Sequence, residues 1–145
     1  MNFQVNLKDG TALNLAFSQY FLMRVGALTG LGLQDTFKYL IGDVIDMANG
    51  VVKGGVMDDI ECRAHVIAAG LQAYGFANGD SKEYTAIDAF PMLEKIENVL
   101  ANPIWAKMYI AIMTALMPTN LEPDVPKKKP VRQSQRKAAK PVLKR

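Results

Sequence analysis

Cysteine, histidine and tryptophan are nearly missing from this chain, and each scarcity excludes something. One cysteine, Cys62, stands among 145 residues, so no disulfide can close within the chain. A reducing compartment fits that usage. One histidine, His65, leaves too few soft or imidazole ligands for a closed zinc site. The opening MNFQVNLKDG has neither the basic start nor the apolar core of a signal peptide. The longest apolar segment, Ile104 to Met117, contains Lys107 and falls short of the ~20 residues needed to span a bilayer. The expectation is a chain that is neither secreted nor membrane-inserted. TGLGL and KGGV carry glycines but match no phosphate-binding loop, and there is no alternation of strands and helices to present one.

The densest chemical cluster is Asp58, Asp59, Glu61, Cys62 and His65. Glu61 and His65 are four apart, and Cys62 and His65 three apart, so each pair can share a helix face. Metal binding needs further ligands, and no other carboxylate stands at a diagnostic spacing. A Cys–His catalytic pair needs an orienting group and an oxyanion site, for which the sequence shows no candidate. Asp43 and Asp46 read more simply as a wet face than as paired catalytic carboxylates. A helix that begins with acids and carries a partly buried Cys and a surface His explains the cluster. No enzyme activity, cofactor or metal is expected.

Charge is unevenly divided. Residues 1 to 120 hold 8 Lys and Arg against 12 Asp and Glu, a net −4. Residues 121 to 145 hold 9 against 2, a net +7. The basic character therefore belongs to the tail, and the body is mildly acidic.

Half of the residues are apolar, enough for one core. Phe3, Val5 and Leu7 alternate with polar residues, Lys8-Asp9-Gly10 reads as a turn, and Leu13, Leu15 and Phe17 resume the period of two. Ser18 caps a helix running to about Leu28. A second helix is expected from Gln34 to Ala48, burying Phe37, Leu40, Ile41, Val44 and Met47. A third, central helix follows Asp58 and Asp59, with Ile60, Ala64, Ile67 and Leu71 as its stripe. Asp80 and Glu83 have capping-box spacing before a fourth helical region, kinked or broken at Pro91 and ending near Leu100. Asn102-Pro103 opens the last helix, which runs to about Met117.

The fold class is thus mainly α: a small N-terminal β-hairpin packed on about five helices over residues 1–119. A basic, proline-containing tail over 120–145 follows, expected to be disordered in the free protein for want of apolar residues to bury. The last helix is apolar around nearly its whole circumference. Ile104, Met108 and Ile112 form one row, and Trp105, Tyr109 and Met113 another; these six are the candidates for partner capture or self-association into a homo-oligomer, with plain core as the alternative.

The tail offers Lys127, Lys128, Lys129, Arg132, Arg136, Lys137, Lys140, Lys144 and Arg145 for electrostatic contact. It has no aromatic residue for base stacking and the body has no recognisable nucleic-acid motif, so the support for nucleic acid is unspecific phosphate attraction alone. Membrane docking is weaker still, because the lysines are scattered among prolines rather than set on an amphipathic helix.

"VNLKDGTALNLAFSQYFLMRVGALTGLGLQDTFKYL" resembles the start of the tail assembly chaperones of long-tailed phages, at Asp9-Gly10, Leu13, Leu15, Phe17, Leu28-Thr29-Gly30, Leu33 and Leu40. "ECRAHVIAAGLQAYG" and "DSKEYTAIDAF" resemble their middle section, at Ala69-Gly70-Leu71, Asp80-Ser81, Glu83, Ile87 and Asp88. The resemblance runs over about residues 3–100 and is spread along them. It departs at Arg24 and Val25, where an acidic residue is often seen. It implies a small, mainly helical, non-enzymatic protein of the host cell cytoplasm that binds the tape-measure protein, helps recruit tail-tube subunits and is absent from the finished virion. A frameshifted longer product, with slippage at Lys127 to Lys129, is a further implication. The competing assignments are a virion structural or head–tail connector-type protein, or a nucleic-acid-associated small phage protein acting through its basic tail.

Overall fold

Strand alternation at the N-terminus and helical periodicity after Ser18 give the two kinds of element from which the molecule is built. The computed structural model describes residues 1–116. Strands β1 (Asn2–Asn6) and β2 (Ala12–Ala16) pair antiparallel, with Phe3 opposite Leu15 and Val5 opposite Leu13. Gly10, at φ 91°, closes the turn, and the Asp9 carboxylate accepts the Thr11 N–H at 3.0 Å. A two-stranded ribbon is marginal alone; this one buries Val5, Leu7 and Leu15 against the helices.

Helix α1 (Gln19–Thr29) starts where Ser18 Oγ accepts the Phe21 N–H and stops at Gly30, which adopts the left-handed conformation and donates to the Gly26 carbonyl. Helix α2 (Leu33–Ile41) is shorter than its periodicity suggests. The chain leaves it at Gly42 and forms a second ribbon, β3 (Asp43–Asp46) and β4 (Val51–Lys53), with Val44 opposite Val52. This corrects the expectation of one helix from 34 to 48. Val44 and Met47 had completed the apolar stripe, yet they are 45% and 82% exposed. Val44, Ile45, Val51 and Val52 are β-branched and suit strands, with Asn49-Gly50 at the reversal.

Helix α3 (Ile60–Ala77) is the central element, packed on β2, α1 and α4 (Ala86–Glu94). The Asp59 carboxylate caps it by accepting the Glu61 and Cys62 N–H groups. Cys62, Val66, Ile67 and Ala69 are fully buried, whereas Ile60 is about half exposed and Leu71 lies at the margin of the core. A Cβ on Gly70 would stand 2.9 Å from that of Leu15, so glycine permits the close seating of α3 on β2.

The capping box of α4 is Thr85 with Asp88, not Asp80 with Glu83; Asp80 instead accepts the Lys82 N–H in a local turn. Pro91 sits inside α4, which ends at Glu94, three residues later, and does not continue to Leu100. In so short a helix the proline removes one interior bond without splitting the element. Helix α5 (Ile104–Leu116) begins where Asn102 Oδ1 accepts the Ile104 N–H at 2.8 Å, and it lies against β1 and α2. The described residues thus form a mainly helical fold of five helices with an N-terminal antiparallel hairpin and a second, smaller ribbon. One buried cluster extends from Val5 to Leu116.

Candidate functional site

Asp58, Asp59, Glu61, Cys62 and His65 are drawn into local structure. Asp58 accepts the Gly54 N–H at 2.8 Å, tying β4 to the start of α3, and Asp59 is the helix cap. Cys62 is fully buried, 3.6 Å from the Tyr39 carbonyl oxygen. Burial pushes its thiol from the ordinary 9.0 up to about 12. An activated thiolate needs the reverse shift, so the Cys–His spacing does not build a nucleophile here. His65 Nδ1 lies 3.0 Å from the Tyr39 hydroxyl. Among the described residues no group of three Cys, His, Asp or Glu side chains is placed to hold a metal ion.

The six candidates on α5 divide. Trp105, Met108 and Ile112 are buried in the core, and Trp105 donates its indole N–H to the Val99 carbonyl. They face the protein's own interior, so for these three residues, drawn from both rows, the plain-core alternative replaces partner capture. Ile104, Tyr109 and Met113 are half-buried at the edge of the core. Ile110, on the side of the helix away from both rows, stands 63% exposed beside the exposed Lys107 and Thr114. Helix α5 is apolar nearly all round because β1, α2 and the residues around Val99 enclose much of it. The tail positions Lys127, Lys128, Lys129, Arg132, Arg136, Lys137, Lys140, Lys144 and Arg145 lie outside the described residues, as does the charge contact expected of them.

A concave apolar surface lies elsewhere, between α1 and α2. Two adjoining cavities of about 410 Å³ share Leu22 and Leu33 in their walls. Met23, Gly26 and Leu31 line one; Gln19, Phe37 and Leu116 line the other. No Asp, Glu, Lys or Arg lines either. Met23 is 65% exposed and Leu33 62%, with Leu31 less so at 37%. Thr36, the buried polar group in the wall, is satisfied: its hydroxyl donates to the Gly32 carbonyl at 2.7 Å. The sequence carried a signal for this groove that periodicity does not detect. In TGLGL, Leu31 and Leu33 alternate with the glycines of a helix–helix connection, where apolar side chains have no core to enter.

No helix among the described residues is long and apolar enough to cross a membrane. No family model, no curated protein and no solved structure matches this chain.

Proposed function

We propose that this chain is a non-enzymatic tail assembly chaperone of a long-tailed phage, holding a segment of the tape-measure protein and helping to recruit tail-tube subunits in the host cell cytoplasm. It leaves before the virion is complete. The family assignment rests on the resemblance over residues 3–100. The observation that carries the binding role is the uncharged groove between α1 and α2, with Met23, Leu31 and Leu33 presented to solvent at its margin. Solvent-exposed apolar side chains around a concave surface suit an apolar helical stripe of a client. A stable complex needs ~1,000 Å² of buried surface or more, so the groove acts as the centre of a wider contact.

Co-expression of the full chain with the tape-measure protein encoded beside it tests the reading. The client is expected to stay soluble and to co-purify with the chain, and both effects should fail with Leu33→Asp. A client that aggregates equally with and without the chain would overturn the assignment.

A further inference from the structure

A second feature lies outside that groove and owes nothing to the chaperone reading. Arg63, near the start of α3, is 4% exposed. Its Nε donates to the Val56 carbonyl at 2.8 Å and its Nη2 to the Met57 carbonyl at 2.6 Å. The guanidinium lies over the Trp105 ring, 4.6 Å from the centroid. No carboxylate pairs with it: the ion pairs among the described residues are Arg24 with Glu83 and Lys95 with Asp9. Its Nη1 donates to no described residue, yet it is not among the polar atoms sealed from solvent. Burial draws the Arg63 pKa down, against the fields of Asp58 and Asp59. A cation is therefore held in a poorly solvated position with hydrogen-bonding capacity left over.

Arg63 also lines a cavity of about 190 Å³ whose other walls include Ile60, Phe90, Leu93 and Leu100. Ile60, Phe90 and Leu100 are 48%, 40% and 68% exposed, so the mouth is apolar and open. That volume equals the space of about six water molecules, room for a short aliphatic chain. A buried guanidinium without a counter-ion gains from a carboxylate, whose two oxygens match its planar donors. Glu94 stands at the cavity edge and opposes an anion, but it is exposed and its repulsion is screened by solvent.

We propose that Arg63 and the Ile60–Phe90–Leu100 cavity form a binding site for an aliphatic carboxylate, with the acid on the guanidinium and the chain on the apolar walls. The carboxylate can come from a free short-chain acid or from the C-terminus of a polypeptide ending in apolar residues.

Trp105 is the single tryptophan of the chain and touches the guanidinium, so its fluorescence reports on the site. The full chain is titrated with hexanoate, with hexan-1-ol, and with acetyl-Leu-Leu bearing a free or an amidated C-terminus. A saturable change in Trp105 emission is expected from at least one acid, with half-saturation at ~1 mM or below, and none from its neutral counterpart. The acid that binds more tightly identifies the source. Arg63→Met should weaken the response at least tenfold. Because loss of Arg63 can also unfold the chain, Leu100→Asp serves as the second variant: it places a negative charge at an exposed position of the mouth and should repel the acid while the circular dichroism stays unchanged. Equal responses to acid and neutral probes, no saturable response to either acid, or unchanged affinity in Leu100→Asp would overturn the proposal.

Discussion

The backbone of Gly42 runs so close to Gly54 that a Cβ on Gly42 would meet the Gly54 carbonyl oxygen at 2.5 Å. Gly42 is also at φ 76°. Both facts explain why α2 ends at Ile41: the chain turns by a conformation that glycine adopts cheaply and then packs backbone on backbone with the returning β4. Gly55, at φ 71°, would meet the Ile41 carbonyl in the same way from the other side.

Gly42→Ala is accordingly expected to destabilise the protein by about 2 kcal/mol or more, from left-handed strain together with a backbone clash. Urea unfolding followed by circular dichroism measures the loss. Gly50→Ala, where φ is also positive but nothing lies within 4 Å of the added Cβ, should cost less.

The buried α5 positions and the exposed groove position should respond in opposite ways to a charge. Met108→Asp and Ile112→Asp place a carboxylate in a fully buried site and should cost about 4 kcal/mol or more, enough to abolish the cooperative transition. Leu33→Asp alters a side chain that is 62% exposed and should shift stability by about 0.5 kcal/mol or less while removing client binding. Thermal melts beside pulldowns separate the two effects. A stable Met108→Asp variant would contradict the placement of α5.

Stability should fall at alkaline pH. Cys62 is pushed from 9.0 up to about 12, chiefly by burial and then by Asp59. Burial, followed by the charge on Cys62, raises the Tyr39 hydroxyl as well. A raised folded-state pKa means the neutral form is favoured in the fold, so this contribution is complete below the unfolded value and lost as pH rises through the folded one. Unfolding free energy should be insensitive to these two groups below about pH 8 and should decline from pH 9 upward. Tyr39→Phe with Cys62→Ala should flatten that decline relative to the parent, as read from melts at stepped pH.

Cys62 should also be unreactive in the folded chain. A neutral thiol reagent at pH 8 is expected to label it only after denaturant is added, because the thiol is both inaccessible and protonated. Rapid labelling of the native protein would show that the start of α3 opens readily.

Local sequence chemistry carried much of the fold. The first ribbon follows from alternation at Phe3, Val5 and Leu7 with Asp9-Gly10 at the turn, α1 from Ser18 and Gly30, and α5 from Asn102-Pro103. Those signals act over a few residues, so no distant partner is needed to make them legible. The centrality of α3 was legible too, since apolar residues on opposite sides of one helix require neighbours on both sides. The split of residues 34–48 was not, because Val44 and Met47 fit a helical stripe equally well. Only the close passage of Gly42 and Gly54, twelve residues apart, settles the turn.

The candidate site shows the same division. A largely apolar α5, with Lys107 its single charge, was visible in the order of residues, but periodicity counts apolar side chains without saying what covers them. The sequence by itself determined that this chain has an apolar core, an acidic body and local capping signals at most helix ends. Tertiary packing alone decided that Met108 and Ile112 are spent inside while Met23 and Leu33 stay outside. Burial is a property of the neighbours that reach a side chain, and those neighbours come from β1, α2 and α3, remote in sequence and joined only by the fold.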